Sequence, residues 1–352
     1  MNKNLLAIGI PSNRNLAGSE TAVRSAAAFC RQAAAQLVVS DNSGEVKKEE
    51  ELAASLRAES LRYIKMPPCS MIENSLQAFN ATEAEFVLMM GDDDRLFRFG
   101  ESADFGNLPA DVVAIKPCVF AYADPHGILT MNASPLPETG ARERIVENLR
   151  TSSGTNLGIF SFWRRDVLKS LMELCCLHHP TKGTYCDWSL MNGLVSSGKV
   201  VVDPSTCYFY NIQNWGGDAS AIAAQAERAF VVSGLPAGSS AYAYLFHAVD
   251  SYIFINRKDS PLPAQERDLT ALFCLNLHLK NYAANTPRQS GHENAEEIAQ
   301  LSDRLAAAVV ADNVPAIFAL LAEILNVVRP NLGQQYKDFH HYAVGRAWGK
   351  LS

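Results

Sequence analysis

The chain has 352 residues, of which 48% are hydrophobic and 19% are charged, and its formal net charge is −6. These proportions exclude a disordered chain, and the length gives room for two cores. The negative charge, without a cluster of Lys and Arg, argues against a nucleic-acid-binding surface. Lys47-Lys48 is followed at once by Glu49-Glu50-Glu51, which predicts a solvated helix start.

No segment of the sequence reads as a targeting or membrane-spanning segment. The apolar run at residues 5–10 is too short for either, and Pro11 ends it. The eight cysteines form no Cys-x-x-Cys pair, which argues against a structural metal or a disulfide framework. We therefore expect a cytoplasmic protein, with peripheral contact at the inner face of the membrane left open.

In the first 95 residues, short apolar runs alternate with helical patterns. The predicted strands are residues 5–10, 36–40, 61–65 and 86–90, and the predicted helices between them are residues 20–35, 47–59 and 71–82. This alternation predicts an α/β fold with a mostly parallel sheet sandwiched by helices. The carboxyl ends of such strands lie along one edge, where open sheets bind ligands.

The rest of the chain is less regular and then becomes helical. Strands are predicted at residues 112–115, 159–163, 199–202 and 207–210, and helices at 142–148, 166–174 and 187–195. Ala- and Leu-rich segments separated by prolines predict further helices at 218–233, 239–256, 264–284, 293–311, 314–328 and 332–348. We predict an α/β domain at residues 1–212 and an all-helical domain at residues 213–352.

Gly91-Asp92-Asp93-Asp94 directly follows the fourth predicted strand. Adjacent carboxylates repel one another unless a cation offsets their charge, and carboxylate oxygens are the ligands that Mg²⁺ and Mn²⁺ prefer. An ion held there would also bind a diphosphate. The alternative is a solvated turn whose first Asp caps the next helix.

Polar residues also follow the first two strands. Asp41, after the second strand, could accept a hydrogen bond from a nucleobase N–H or form an Asx-turn with its own backbone. Pro11-Ser12-Asn13-Arg14-Asn15, after the first strand, could shape the pocket for the base. Three strand ends therefore bring anion- or metal-competent residues to one edge of the sheet.

The first 95 residues resemble the GT-A glycosyltransferases, in particular the inverting family 2. The matching segments are Ile10-Pro11-Ser12, Val38-Val39-Ser40-Asp41-Asn42-Ser43, Asn74 in the helix before the fourth strand, and Met89-Met90-Gly91-Asp92-Asp93-Asp94 in the place of the family's DxD segment. The resemblance implies a Rossmann-like GT-A domain that binds a nucleotide sugar and uses Mg²⁺ or Mn²⁺.

The resemblance also implies roles for individual residues. Asp41 would hold the base, Asp92 would face the ribose, and the metal ligand is ambiguous between Asp93 and Asp94. The complete predicted nucleotide-sugar site consists of Pro11, Ser12, Asn15, Asp41, Asn74 and Asp92. This chain has Gly91 where the family often begins its Asp-x-Asp-Asp segment.

Tyr185-Cys186-Asp187-Trp188 resembles the Glu-Asp motif of the same family, with Cys186 in place of the usual Glu. The resemblance implies that Asp187 is the catalytic base that accepts the proton of the acceptor hydroxyl. The alternative is an Asp that caps the helix beginning there.

The resemblance implies a glycosyltransferase that acts with inversion, with a UDP-sugar as the donor on family frequency. The acceptor would be a glycan or a lipid-linked molecule, as in bacterial surface glycan synthesis. The absence of a Gln-x-x-Arg-Trp motif favours single additions over polymer synthesis. Two alternatives stay open. One is an inactive nucleotide-sugar-binding scaffold, suggested by Cys186. The other is a sugar-1-phosphate nucleotidyltransferase, which the lack of a Gly-rich loop after the first strand disfavours.

Overall fold

The computed structural model describes residues 5–56, 61–100, 105–152, 154–183, 185–213, 215, 218–285 and 290–350. The chain divides into two compact units: Met1–Met172 with Gly198–Gly216, and Glu173–Ser197 with Gly217–Ser352. The predicted division into residues 1–212 and 213–352 stays a prediction. The sequence did not indicate that residues 173–197 pack within the second unit.

The first unit is an α/β layer structure. Its strands are β1 (Leu6–Ser12), β2 (Gln36–Asp41), β3 (Leu61–Lys65), β4 (Phe86–Met89), β5 (Arg95–Arg98), β6 (Val112–Ala123), β7 (Gly127–Asn132), β8 (Phe162–Arg164) and β9 (Lys199–Asn211). Its helices are α1 (Leu16–Ala33), α2 (Val46–Leu56), α3 (Met71–Asn80), α4 (Ala141–Ser152) and α5 (Arg165–Glu173), the last of which ends at the boundary between the units.

Within the described residues, the strands form one sheet in the order β3-β2-β1-β4-β8-β6-β9-β5, with β7 paired to β6. The pairs among β3, β2, β1 and β4 are parallel, as is β6 with β9. The short strand β8 runs antiparallel to both β4 and β6, and β5 and β7 are also antiparallel to their neighbours. The α/β prediction with a helical C-terminal region is confirmed.

Local sequence explains the elements that carry the strand ends. The apolar residues of β1, β2 and β4 are buried on both faces because helices cover the sheet, so these strands read as continuous apolar runs. Helix α1 begins after Asn15, whose side chain accepts a hydrogen bond from the Gly18 amide. Helix α3 begins with a capping box between Ser70 and Glu73.

The second unit is helical. Its helices are α6 (Asp187–Ser196), α7 (Ala219–Val232), α8 (Ala243–Asn256), α9 (Ala264–Asn285), α10 (Ala295–Val310), α11 (Val314–Val328) and α12 (Leu332–Val344). Every residue of α8 from Leu245 to Asn256 is buried, which makes it the central helix of this unit. Among the helices that the structure describes, none is both long and apolar enough to cross a bilayer.

Candidate functional site

The carboxyl ends of β1, β2 and β4 meet at one edge of the sheet. In the parallel register of β1 and β2, Ser12 lies beside Asp41. On the other side of β1, the Met90 amide donates to the Gly9 carbonyl oxygen, so the chain after β4 emerges at the same edge. The three polar segments that follow these strands are therefore neighbours in space.

Asp92 connects the end of β4 to the end of β1. Its Oδ2 accepts hydrogen bonds from the Ser12 hydroxyl at 2.7 Å and from the backbone amides of Asn13 and Arg14, each at 3.2 Å. Its Oδ1 accepts from Arg14 Nε at 2.9 Å. The Asp92 carboxylate therefore accepts four hydrogen bonds, three at Oδ2 and one at Oδ1.

Lys48, from α2, joins the ends of β1 and β2. Its side chain is fully buried, with 0% exposure. The ammonium donates to Asp41 Oδ1 at 2.5 Å, to the Ser12 hydroxyl at 2.7 Å and to the Arg14 carbonyl oxygen at 2.8 Å. The predicted solvated helix start is wrong at this residue, because α2 places Lys48 against the strand ends. A hydroxyl, a backbone carbonyl and a carboxylate there accept hydrogen bonds from its ammonium group.

Asp41 is buried and fully hydrogen-bonded. Besides Lys48, its carboxylate accepts from the Ser43 amide at 3.3 Å, the Ser43 hydroxyl at 3.0 Å and the Tyr63 hydroxyl at 2.8 Å. Burial, followed by the Asp41 contact, raises the pKa of Tyr63. The bond from the Ser43 amide is the Asx-turn that the sequence left open. The role of Asp41 towards a base stays a prediction.

The other predicted nucleotide-site residues hold the loops in place. Asn74, from α3, accepts from the Ser40 hydroxyl at 2.6 Å and donates to the Ser12 carbonyl oxygen at 3.2 Å, so it joins β1, β2 and α3. Asn15 caps α1 through its side-chain oxygen. Pro11 lies within β1, opposite Ser40. Binding by these residues stays a prediction, although the structure places all of them at this edge.

Asp94 points into the protein. Its Oδ2 accepts from the Tyr208 hydroxyl at 2.5 Å and from the Gly91 amide at 3.2 Å, and its Oδ1 accepts from the Asn211 amide at 2.8 Å. Burial raises the pKa of Asp94 to about 7, although these hydrogen bonds oppose the shift. A Cβ on Gly91 would lie 2.6 Å from Asp94 Oδ2, which explains a glycine at this position.

The acidic triplet therefore forms a turn, closed by a 3.3 Å bond from the Asp94 amide to the Gly91 carbonyl oxygen. The alternative of a solvated turn that caps a helix is wrong, because Asp92 and Asp94 are buried and the strand β5 follows. Polar partners from β1 and β9 satisfy these two carboxylates, and these partners are remote in sequence.

Asp93 is the outward-facing member of the triplet. Its side chain is 23% exposed, and its Oδ2 accepts from Arg14 Nη2 at 2.6 Å. Desolvation raises the pKa of Asp93, whereas the charge of Arg14 lowers it and that of Asp92 raises it. The Arg14 side chain is 41% exposed and contacts Asp92 and Asp93 together.

Asp93 is also the member that best fits a divalent ion. Mg²⁺ in phosphate-binding sites usually takes one or two protein carboxylates, and substrate phosphates and water complete the shell. Asp93 is accessible for that role, whereas the Asp94 oxygens are occupied by internal donors. Over the described ranges, no group of three or more His, Cys, Asp or Glu side chains is arranged to hold a metal. An ion at Asp93 would therefore depend on ligands from a phosphate-bearing donor.

Asp187 belongs to the second unit. It is the first residue of α6, and Cys186 occupies the position before the helix without a side-chain capping bond. Tyr185, two residues earlier, has φ 57°, and its carbonyl oxygen lies 3.2 Å from Nε2 of the buried His247. Burial lowers the pKa of His247, and the charge of Asp187 opposes that shift. The base role of Asp187 stays a prediction.

Solved structures with the same fold are known. TarS of S. aureus is similar with a TM-score of 0.52 and 12% identity, over 96% of this chain and 55% of TarS. TarS 1–349 in complex with UDP is similar with a TM-score of 0.50 and 12% identity, over 97% of this chain and 92% of that one. The GT-A-type fold predicted from the resemblance is confirmed.

The chain spans 55% of the length of the longer TarS structure. A comparison with protein-family models and another with curated proteins found no match. The fold is therefore known from structure alone, and the activity has to be argued from the site.

Sequence reasoning missed Lys48 and Tyr63 and assigned no partner to Arg14. Lys48 stands in a run of Lys and Glu that is typical of a solvated helix face, so its sequence gives no signal of burial. Tyr63 lies in a predicted strand, where aromatic residues are common. Arg14 was within the loop singled out after β1, but its contacts with Asp92 and Asp93 depend on the pairing of β1 with β4.

Proposed function

We propose that this protein is a glycosyltransferase that moves a sugar from a nucleoside diphosphate donor to an acceptor hydroxyl. The observation that carries the proposal is the hydrogen-bonded network at the ends of β1, β2 and β4, which runs from Asp41 through Lys48 and Ser12 to Asp92. Beside it, Arg14 and Asp93 present an exposed cation and a partly exposed carboxylate, groups suited to a metal–diphosphate.

The donor would lie along this edge, with its base near Asp41, its ribose near Asp92 and its diphosphate near Arg14 and Asp93. The Arg14 Nε contact is the outermost of the four on Asp92, so a ribose hydroxyl can replace it without disturbing the fold. Mg²⁺ or Mn²⁺ bound at Asp93 would offset the charge that develops on the departing diphosphate.

UDP is the nucleotide we propose. Every acceptor position of Asp41 is used in the free protein, so a base N–H has to displace a hydroxyl of Ser43 or Tyr63. Uracil needs one such position for its single ring N–H, and the displaced hydroxyl can donate to a uracil carbonyl. Guanine offers two adjacent donors and needs two positions. TarS 1–349, which shares the fold, was solved in complex with UDP.

Asp187 is the residue we propose as the base. In a direct displacement, it would take the proton of the acceptor hydroxyl while that oxygen attacks the anomeric carbon, which inverts the configuration there. The loop before it holds the non-glycine residues Lys182 and Tyr185 at positive φ, and such strained backbone is concentrated at functional sites. A glycan or lipid-linked acceptor, as in surface glycan synthesis, completes the proposal.

Calorimetric titration tests the donor site. UDP, GDP and dTDP are titrated with and without Mn²⁺ into wild type and into Asp93→Asn. We expect UDP to bind more tightly with Mn²⁺, and we expect the substitution to remove that gain. Asp166→Asn is the control, because Asp166 is an exposed acid in the first turn of α5. Absence of binding by all three nucleotides would contradict the proposal.

Transfer separates an enzyme from a binding scaffold. One observation supports the scaffold alternative. Cys186, the residue before Asp187, supplies no carboxylate, and its buried thiol lies 3.6 Å from the Cys175 sulfur. If Asp187 is the base, Asp187→Asn should keep UDP affinity and lose about 10²–10⁴-fold in transfer from UDP-sugars to an acceptor panel. UDP binding without transfer by wild type to any acceptor would favour the scaffold.

A further inference from the structure

Arg14 bridges two of the three carboxylates of the triplet. Its Nε lies 2.9 Å from Asp92 Oδ1, and its Nη2 lies 2.6 Å from Asp93 Oδ2. These are two charge-assisted hydrogen bonds from one planar guanidinium, and such bonds are the strong ones in proteins. In the protein without donor, this side chain supplies the positive charge at the acidic triplet.

The backbone of Arg14 is fixed while its side chain is accessible. The Arg14 amide donates to Asp92 Oδ2, and the Arg14 carbonyl oxygen accepts from the buried Lys48 ammonium. The side chain itself is 41% exposed. Movement of the guanidinium therefore changes one part-buried contact, with Asp92, and one exposed contact, with Asp93, and leaves the backbone contacts of Arg14 in place.

We propose that Arg14 competes with the divalent ion for the triplet, so that the ion binds more tightly together with the nucleoside diphosphate than alone. Without donor, the guanidinium contacts Oδ2 of Asp93, the carboxylate that an ion would use. With donor, the guanidinium turns to the phosphates and frees Asp93 for the ion. The inference rests on the donor site proposed above and assigns to Arg14 a positioning role that the resemblance did not supply.

The balance of charges favours an ion that replaces Arg14 at Asp93 over an ion that binds while Arg14 stays in contact. A divalent ion placed beside Asp93 with Arg14 still in contact would bring two cations together on one partly exposed carboxylate, at a Coulomb cost. A diphosphate removes that cost, because its oxygens can accept two hydrogen bonds from the guanidinium, as the two carboxylates do. Each charge then keeps a partner in both states.

Binding of Mn²⁺ alone tests the competition without any turnover. Mn²⁺, as the chloride, is titrated into protein without nucleotide, and the free ion is followed by its paramagnetic resonance signal. We expect Arg14→Gln to bind Mn²⁺ about tenfold more tightly than wild type, because one positive charge has left the site. Arg14→Lys should fall between them, since a single ammonium cannot bridge both carboxylates.

Two further variants make the result specific. Arg24→Gln should behave as wild type, because Arg24 pairs with the exposed Glu20 on the surface of α1. Adding Asp93→Asn to Arg14→Gln should remove the gained Mn²⁺ affinity. Circular dichroism of each variant confirms that it is folded.

The opposite effect is expected with nucleotide present. Arg14→Gln should weaken binding of UDP in saturating Mn²⁺ about tenfold, through loss of the guanidinium–phosphate contact. Equal or weaker Mn²⁺ binding by Arg14→Gln in the absence of nucleotide would overturn the inference. Failure of the proposed function is a separate result, in which wild type binds no nucleotide whatever its affinity for Mn²⁺.

Discussion

The strand ends of the first unit and the cluster around Asn192 in the second unit both contain buried polar side chains, but these are satisfied differently in the two places. At the strand ends the groups are charged, and the cations Lys48 and Arg14 contact the carboxylates. In the helical unit, Asn192 of α6 donates to Ser251 of α8 at 3.0 Å and lies 2.9 Å from Nε2 of His278 of α9. That cluster is neutral.

The difference shows which conditions each region responds to. A charged network changes when an ion, a phosphate or a counter-charge is added or removed, as expected of a ligand site. A neutral cluster with a buried histidine instead responds to acid, because the imidazole must take up a proton in an apolar environment. Within the charged network itself, Lys48 is buried and Arg14 is exposed. We therefore expect Lys48 to stabilise the fold and Arg14 to change partners when a ligand binds.

The largest expected effect is that of removing Lys48. Lys48→Met leaves the buried Asp41 carboxylate without its cation and should lower the unfolding free energy of the first unit by about 3–5 kcal/mol. Lys65→Met, which removes an exposed partner of Glu49, should cost at most about 1 kcal/mol. Urea-dependent hydrogen exchange, read on peptides of β1 and β2, measures the first unit separately.

Removing both charges sharpens the result. The double variant Asp41→Asn, Lys48→Met should recover part of the loss, since no uncompensated charge is then buried. A loss below about 1 kcal/mol for Lys48→Met alone would show that the pair is not a structural charge pair, against the assignment made here.

The second effect concerns acid and the helical unit. Burial, together with the nearby His247, lowers the pKa of His278 to about 3, below the ordinary value of 6.5. The unfolded state then binds one proton more than the folded state between these values. Stability is therefore fully present above about pH 6.5 and falls as the pH falls towards 3, by about 1.4 kcal/mol per pH unit at most.

His278→Gln should reduce this acid dependence without abolishing it, because burial also lowers the pKa of His247 and His340 in the same unit. Hydrogen exchange on peptides of α8 and α9 at pH 7.5 and pH 5 compares the variant with wild type. His126→Gln, in an exposed turn of the first unit, should leave the slope unchanged. An equal slope in His278→Gln and wild type would mean that another group causes the acid response of this unit.

The smallest expected effect is that of Arg14 on stability. Because the Arg14 side chain is 41% exposed, solvent screens its ion pairs, and Arg14→Gln should change the unfolding free energy by about 0.5 kcal/mol. The same variant should change Mn²⁺ and UDP affinity about tenfold in opposite directions. A stability loss as large as that of Lys48→Met would instead make Arg14 a structural residue.

The parallel strands and the C-terminal helices could be predicted from the sequence because their patterns are local. The four predicted strands of the first 95 residues correspond to β1 to β4, and the six Ala- and Leu-rich segments correspond to α7 to α12. Strands β5 and β7 were missed, since each is short and exposes several of its residues.

The long strand β9 was predicted as two strands, because Asp203-Pro204-Ser205 resembles a turn. The chain instead stays extended through an irregularity in its pairing with β6. The Asp203 carboxylate accepts hydrogen bonds from the Ser205 amide and the Thr206 hydroxyl at that point. Pairing with β6 on one side and with β5 on the other decides that the segment continues as one strand.

For the candidate site too, the sequence could predict one part of the arrangement and not the other. The strand-end rule predicted that Ser12, Asp41 and Asp92 would meet, because parallel strands end at one edge whatever their detailed packing. It could not rank Asp93 and Asp94 as metal ligands. That ranking follows from Tyr208 and Asn211 of β9, more than 100 residues away in sequence, which take up the Asp94 oxygens.

By itself, the sequence determined the α/β class of the first unit, the helical character of the C-terminal region and the edge at which polar residues gather. Apolar periodicity and strand order are properties of short segments, and these carry that information. The tertiary structure decided that Lys48 is buried, that Asp94 faces inward and that Arg14 bridges Asp92 and Asp93. Burial and pairing of a charge depend on which distant segments pack around it, and no local pattern encodes that.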